Sequence, residues 1–209
     1  MTVSNQLPKV LLLGDSIRKS YQPRVAEILA GKAEVIGPEE NCQFALYTLF
    51  SLGRWINELG EPDIVHWNNG LHDCGHNLTR GPAQFSLEDY RTNLETILAR
   101  LREFTPRVIW ATITPVHPDK PFDESGWGWR NNEIDQYNLV ARELMGANEL
   151  PINDLHKLVW ADADRFLSDD QLHLSQTGKD VCAEAVAESV LDVMAGSDSR
   201  PAAVSASNL

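Results

Sequence analysis

Ser16, Asp170 and His173 are the residues whose types and spacing best fit a chemical role. A serine hydroxyl is a weak nucleophile until an imidazole takes its proton, and that imidazole needs a carboxylate to fix its tautomer. Asp170 and His173 are close enough in sequence for one turn to pair them. The three residues therefore predict a Ser-His-Asp relay. A simpler interpretation stays open, in which Ser16 and Asp170 only cap helices and His173 lies on the surface.

The elements that would bring these residues together alternate between strand and helix. Short apolar runs predict strands at 9–13, 34–36, 63–67, 107–113 and 151–154. Helical spacing predicts helices at 20–31, 44–59, 87–104, 131–145 and 176–194. This order is typical of a parallel sheet covered on both faces, in which the loops after the strands share one edge. We expect one α/β domain, a three-layer α/β/α sandwich, over residues 1–195 and a flexible tail at 196–209.

Two sequence blocks at the ends of this domain carry a family resemblance. Gly14-Asp15-Ser16 follows the first predicted strand, and Asp170-Gln171-Leu172-His173 precedes the last predicted helix. Together they resemble the SGNH, or GDSL-type, hydrolase superfamily. The resemblance implies a flavodoxin-like fold with a five-stranded parallel sheet, and hydrolysis of acyl esters of lipids or carbohydrates with no cofactor. It also implies that Ser16 is the nucleophile, His173 the base and Asp170 the carboxylate that holds the imidazole.

The same resemblance implies three hydrogen-bond donors to the oxyanion: the amide of Ser16, a glycine amide and an asparagine side chain. This chain departs from the pattern twice. Cys42 stands nearest the glycine position, where its amide can still serve because only the N–H is required. His72 replaces the asparagine, and a neutral imidazole also donates one hydrogen bond. Asn68 or Asn69 can supply the side-chain amide instead.

The expected substrate contacts lie at the same edge of the sheet. Trp127 and Trp129 belong to the loop predicted after the fourth strand, where their indoles either stack on a sugar ring or anchor the loop. Arg130 follows them and either grips a carboxylate or pairs with a surface acid. Asp15 and Asn68 complete the set. The tryptophans favour a short acyl group on a carbohydrate, with a lysophospholipid or thioester as the alternative.

Other chemistries compete for some of these residues. The stretch 72–76 contains two histidines, an aspartate and a cysteine, and His66 is nearby, yet the spacing fits no strong metal template, so no metal is expected. Asp15, Asp73 and Asp170 are candidates for an acid/base pair that cleaves glycosides. A non-catalytic glycan-binding module on the same fold is a further alternative.

Composition limits the possible partners and the compartment. The formal net charge of −12 argues against nucleic acid and against an anionic membrane surface, so a neutral small-molecule or glycan ester is the expected partner. Three cysteines, an odd number, suggest no disulfide framework, and the N-terminus has no signal-like apolar segment. We expect a cytoplasmic protein, and a homo-oligomer is compatible with this sequence.

Overall fold

The computed structural model describes residues 6–77, 81–120, 122 and 126–198. Within these residues the strands are β1 (Lys9–Leu13), β2 (Glu34–Ile36), β3 (Ile64–Trp67), β4 (His76–Asn77), β5 (Val108–Ala111), β6 (Trp127–Gly128) and β7 (Ile152–Asn153). The helices are α1 (Ser16–Ile28), α2 (Ala45–Leu59), α3 (Leu71–Cys74), α4 (Leu87–Leu101), α5 (Asn131–Ala147), α6 (Leu155–Trp160), α7 (Ala163–Phe166) and α8 (Gln176–Asp198).

Five parallel strands form the central sheet in the order β2-β1-β3-β5-β7. In its middle, Leu11 is in register with Ile36 of β2 and with Val65 of β3. Each of these strands coincides with a predicted strand, and its ends lie within two residues of the predicted ends. The prediction of a five-stranded parallel sheet in an α/β sandwich is therefore confirmed.

The direction of each crossover explains how the helices cover the sheet. From β1 the chain moves through α1 to β2 at one edge of the sheet. It then moves through α2, α4 and α5 toward β7 at the opposite edge. Right-handed crossovers in opposite directions place helices on opposite faces. The packing agrees, because α1 packs on α8, whereas α4 packs on both α2 and α5. The sheet between these layers is apolar, and Val10 to Leu13 of β1 have no exposed surface.

Helix α1 starts earlier than its apolar spacing predicts. The side chain of Asp15 accepts a hydrogen bond from the amide of Ile17 at 2.8 Å, so Asp15 is the N-cap and Ser16 the first helical residue. The spacing misses this turn because it carries the basic residues Arg18 and Lys19. Arg18 is nevertheless buried.

Several short elements have no counterpart in the sequence prediction. Strands β4 and β6 pair antiparallel, with His76 opposite Gly128 and Asn77 opposite Trp127. Strand β6 lies in the loop predicted after the fourth strand, and residues 121 and 123–125 of that loop lie outside the described residues. Helices α3, α6 and α7 have at most six residues each, too few for a periodic pattern to be visible.

The C-terminal helix is longer than predicted. Helix α8 continues to Asp198, and the rest of the predicted tail lies outside the described residues. No helix in the described part of the chain is both long and apolar enough to cross a bilayer. Cys42, Cys74 and Cys182 are buried free thiols.

Candidate active site

The structure brings the three predicted relay residues into contact. Ser16 is presented where β1 turns into α1, and the other two residues lie in the turn between α7 and α8. The Nε2 atom of His173 is 3.0 Å from the Ser16 hydroxyl oxygen. Its Nδ1 atom is 2.6 Å from Asp170 Oδ2. With the proton on Nδ1, the imidazole donates to the carboxylate and accepts from the serine hydroxyl, as a general base must.

Asp170 is held in its charged form by the turn around it. Its Oδ1 atom accepts from the Ser168 hydroxyl at 2.8 Å, the Leu172 amide at 3.1 Å and the His173 amide at 2.9 Å. Burial acts to raise the pKa of Asp170, but these hydrogen bonds and the imidazole outweigh it and hold that pKa well below its ordinary value. A permanently ionised Asp170 can stabilise a cationic His173 during a reaction.

The turn between Asp170 and His173 depends on an unusual backbone angle. Gln171 has a φ of 71°, in the left-handed region that few non-glycine residues adopt. Its carbonyl accepts a hydrogen bond from the His117 amide at 3.0 Å, in the loop after β5. The loop after β5 thus supports the turn that carries His173.

An open cavity of about 410 Å³ lies against the serine and the imidazole. This volume is suited to a small ligand. The lining combines the reactive side chains with apolar and aromatic ones: Ser16, Asn41, Leu71, His72, Trp127, Trp129, Leu172 and His173. Sequence reasoning missed Asn41, Leu71 and Leu172, although each of them adjoins a predicted site residue.

The two tryptophans of the cavity have different surroundings. Their rings are nearly parallel, with an interplanar angle of 24° and centroids 6.1 Å apart. Trp129 is half-buried and donates from its indole nitrogen to the Leu71 carbonyl at 2.6 Å, so it anchors the loop. Trp127, on β6, remains 41% exposed. Trp129 therefore fits the interpretation of a loop anchor. The exposed indole of Trp127 is the one that remains a candidate for stacking on a sugar ring.

Arg130 points to a carboxylate rather than into the cavity. Its Nη1 atom is 3.3 Å from both carboxylate oxygens of Glu133 and 2.9 Å from His76 Nε2. The surface-acid alternative describes this arrangement, and Arg130 is not among the residues that line the cavity. The structure therefore favours the surface-acid alternative for Arg130 over a substrate contact.

Two predicted oxyanion donors are wrong because their N–H groups are already used. The Cys42 amide donates to the Gly14 carbonyl at 3.2 Å. The Asn69 side-chain nitrogen donates to the Gln43 carbonyl at 3.1 Å and to the Thr48 hydroxyl at 3.0 Å, which engages both of its hydrogens. Each group stabilises the loop before α2 instead.

The predicted donor His72 does lie at the cavity, whereas Asp15 and Asn68 lie beneath it. His72 is partly exposed and lines the same wall as Ser16. Asp15 is 1% exposed and caps α1, and Asn68 is 7% exposed and donates to the Ala111 carbonyl at 2.8 Å. Neither is among the residues that line the cavity, so both are corrected to supporting residues.

The competing chemistries find little support in these surroundings. Among the described residues, no three or more histidine, cysteine, aspartate or glutamate side chains are grouped to hold a metal ion. Burial raises the pKa of the Cys42 thiol, which disfavours the thiolate that Cys42 would need to act as a nucleophile in place of Ser16. Asp15 and Asp73 are buried helix-capping groups, so they do not form a carboxylate pair in the cavity with Asp170.

Comparison with known proteins agrees with this geometry. Residues 12–181 match the model of the GDSL-like lipase/acylhydrolase family, which is most of the chain. The chain belongs to that family. It is accordingly a hydrolase of ester bonds. Among proteins with curated functions, none matches this chain.

Solved structures of similar fold include several GDSL-family hydrolases and esterases. A lipase/acylhydrolase from Enterococcus faecalis superposes with a TM-score of 0.68 at 23% identity, covering 88% of this chain and 95% of its own. An acetyl xylan esterase, AlAXEase, superposes with a TM-score of 0.70 at 21% identity, covering 87% and 99%. An esterase, EstA, from Pseudoalteromonas sp. gives a TM-score of 0.67 at 14% identity, covering 90% and 99%. At these identities the likeness is one of fold.

Proposed function

We propose that this GDSL-family hydrolase is a serine esterase that removes a short acyl group from a carbohydrate. The observation that carries the proposal is the 3.0 Å contact between the Ser16 hydroxyl and His173 Nε2, in the wall of an open cavity. An ionised carboxylate behind the imidazole completes the requirements for nucleophilic acyl transfer.

The reaction proceeds through an acyl-enzyme. His173 takes the proton of the Ser16 hydroxyl as the oxygen attacks the ester carbonyl, and Asp170 stabilises the resulting imidazolium. The tetrahedral oxyanion collapses, the ester C–O bond breaks, and His173 returns its proton to the departing alcohol. Water then attacks the acyl-serine, with His173 again accepting a proton, and the acid leaves with Ser16 restored. No cofactor takes part in either half.

The cavity supports a short acyl group and a sugar-like alcohol. Leu71 and Leu172 provide apolar surface beside Ser16, and the exposed indole of Trp127 lies nearly parallel to Trp129. Flat indole faces stack on the apolar faces of sugar rings. A net charge of −12 favours a neutral substrate over an anionic one. The acetyl xylan esterase among the structural neighbours acts on a substrate of this class.

The first experiment tests the nucleophile and the acyl length. The wild-type protein should react with a fluorophosphonate probe and hydrolyse p-nitrophenyl acetate faster than the octanoate, and Ser16→Ala should lose both properties. Faster hydrolysis of the octanoate would favour the lysophospholipase or thioesterase alternative. Ester hydrolysis that survives Ser16→Ala would refute the mechanism.

The second experiment tests the sugar contact. Trp127→Ala should raise the KM for acetylated xylo-oligosaccharides about fivefold, since a stacked indole contributes roughly 1 kcal/mol. It should leave p-nitrophenyl acetate nearly unaffected. Trp160→Ala is the matched control, because Trp160 is 47% exposed and lies outside the cavity. Equal effects of Trp127→Ala on both substrates would contradict a sugar platform.

A further inference from the structure

We propose that the side-chain amide of Asn41 is an oxyanion donor of this enzyme, an inference that rests on the proposed esterase function. An acyl-transfer site needs preorganised N–H groups beside the attacked carbonyl. The Cys42 and Asn69 groups are engaged elsewhere, so the oxyanion requires other donors. Asn41 lines the same cavity as Ser16 and His72.

The orientation of the Asn41 amide follows from its neighbour. Its Oδ1 atom accepts a hydrogen bond from the Gln43 amide at 2.7 Å. A backbone N–H can only donate, so the oxygen must face Gln43 and the NH₂ group must face the other way. Among the described residues, no acceptor is hydrogen-bonded to that NH₂ group. A residue that lines the cavity thus has two N–H hydrogens available.

The residue before Asn41 is held by an extensive set of contacts. The Glu40 carboxylate accepts hydrogen bonds from three side chains of α2: Tyr47 at 2.5 Å, Arg54 at 2.5 Å and Trp55 at 2.7 Å. These hydrogen bonds lower the pKa of Glu40 to about 2, so the group stays charged. The Glu40 carbonyl accepts from buried Arg18 at 3.0 Å.

The residues after Asn41 are held equally firmly. The Cys42 amide is bound to the Gly14 carbonyl, and the Cys42 carbonyl accepts from the Thr48 hydroxyl at 3.0 Å. Arg18 also donates to the Gly14 carbonyl, at 3.2 Å from Nη2 and 3.3 Å from Nε. The loop is therefore tied to the main chain two residues before the nucleophile. A donor fixed in this way needs no reorganisation when negative charge develops.

Arg18 makes this arrangement a single unit. It is 2% exposed, and its guanidinium donates to the carbonyls of Gly14, Pro38 and Glu40. It lies on the first turns of α1, whose start also presents the Ser16 amide, one of the helix-start N–H groups that have no intrahelical acceptor. The Ser16 amide, the Asn41 NH₂ group and His72 are then the three donors around the oxyanion.

Two substitutions at Asn41 separate a donor from a structural turn. Asn41→Asp keeps the oxygen that accepts from Gln43, so its melting temperature should stay near that of the wild type, but it removes the NH₂ group. Asn41→Ala removes the donor without adding charge. Both should lower kcat on p-nitrophenyl acetate about 100-fold with KM changed less than about threefold. Asn148→Asp, at the far end of α5, controls for the added charge.

The outcomes distinguish this proposal from the function on which it rests. If wild-type enzyme is active and Ser16→Ala is not, but Asn41→Ala keeps its kcat, the Asn41 proposal alone is overturned, even if Asn41→Asp is slow. A raised KM for sugar esters with unchanged kcat would assign Asn41 to the alcohol and also overturn it. A wild-type protein that hydrolyses no ester would overturn both.

Discussion

Replacing Asp73 with asparagine should make this protein's stability less sensitive to pH between pH 3.8 and about 7. Asp73 lies in α3 with no exposed surface, and both its oxygens are near the Ala45 amide at the start of α2, at 3.0 and 3.1 Å. Burial raises the pKa of Asp73 from 3.8 to about 7, and the hydrogen bond from Ala45 offsets only part of that effect.

The sign of the effect follows from where the proton is held. Between pH 3.8 and about 7 the folded protein keeps a proton on Asp73 that the unfolded chain has released. The contribution to stability is therefore complete below pH 3.8 and is lost as pH rises to about 7. Each pH unit in this window lowers the free energy of unfolding by about 1.4 kcal/mol, and the whole window by up to about 4 kcal/mol.

The measurement is a difference between two proteins. Urea unfolding of wild type and Asp73→Asn, at about pH 5, 6, 7 and 8, gives a free energy of unfolding for each. The variant should gain on the wild type by about 1.4 kcal/mol per pH unit up to pH 7 and then remain parallel. Burial also lowers the pKa of His66 to about 4, so stability through His66 is lost as pH falls from 6.5 to about 4, but both proteins share this loss. Parallel curves across the whole range would refute the reasoning.

Four further substitutions, one of them a matched control, test other parts of the structure. Asp170→Asn should lower kcat on p-nitrophenyl acetate about 10³-fold or more with little change in KM, because the imidazole loses its orienting charge; a wild-type rate would contradict the relay. Gly70→Ala should lower the free energy of unfolding by about 3 kcal/mol, because φ is 133° and a Cβ atom would be 2.3 Å from Ile113 Cδ1. Gly146, in α5, has open space around an added Cβ atom, so Gly146→Ala should instead raise the free energy of unfolding by about 0.5 kcal/mol. Equal losses of stability for the two variants in urea unfolding would refute the steric argument for Gly70. Arg18→Met should lower the free energy of unfolding by about 3 kcal/mol in the same assay, since several buried carbonyls lose their donor; an unchanged value would show that water replaces the guanidinium.

The strands of the sheet could be predicted because each is a local feature. A parallel strand covered on both faces is a continuous apolar run, as Val10 to Leu13 of β1 are, and the bounds of β1 and β2 match the predicted strands residue for residue. The pair β4 and β6 could not be predicted in this way. Each has two residues, and their pairing joins segments about 50 residues apart, for which the local sequence carries no periodic signal.

The reactive residues were also readable in the sequence, because Ser16 and the pair Asp170 and His173 occur in short motifs next to element ends. Chain order and the edge rule for parallel sheets then require them to approach each other. Arg18 gave no such indication. Its guanidinium is buried among main-chain carbonyls that come from a different loop, and nothing in the neighbouring sequence reveals that loop.

The sequence by itself determined the order along the chain of the five sheet strands and the five long helices, and it indicated Ser16, His173 and Asp170 as the proposed nucleophile, base and carboxylate, since these depend on short patterns. Only the tertiary structure decided which amides remain free at the cavity. Asn69 and Asn41 have the same donor group. The NH₂ group of Asn69 is hydrogen-bonded to Gln43 and Thr48, more than 20 residues away, whereas Asn41 uses only its oxygen, which accepts from the nearby Gln43 amide. The number of hydrogen bonds that a side chain can donate is fixed by its residue type. Whether those donors are free for a ligand depends on which distant groups the fold brings close to them.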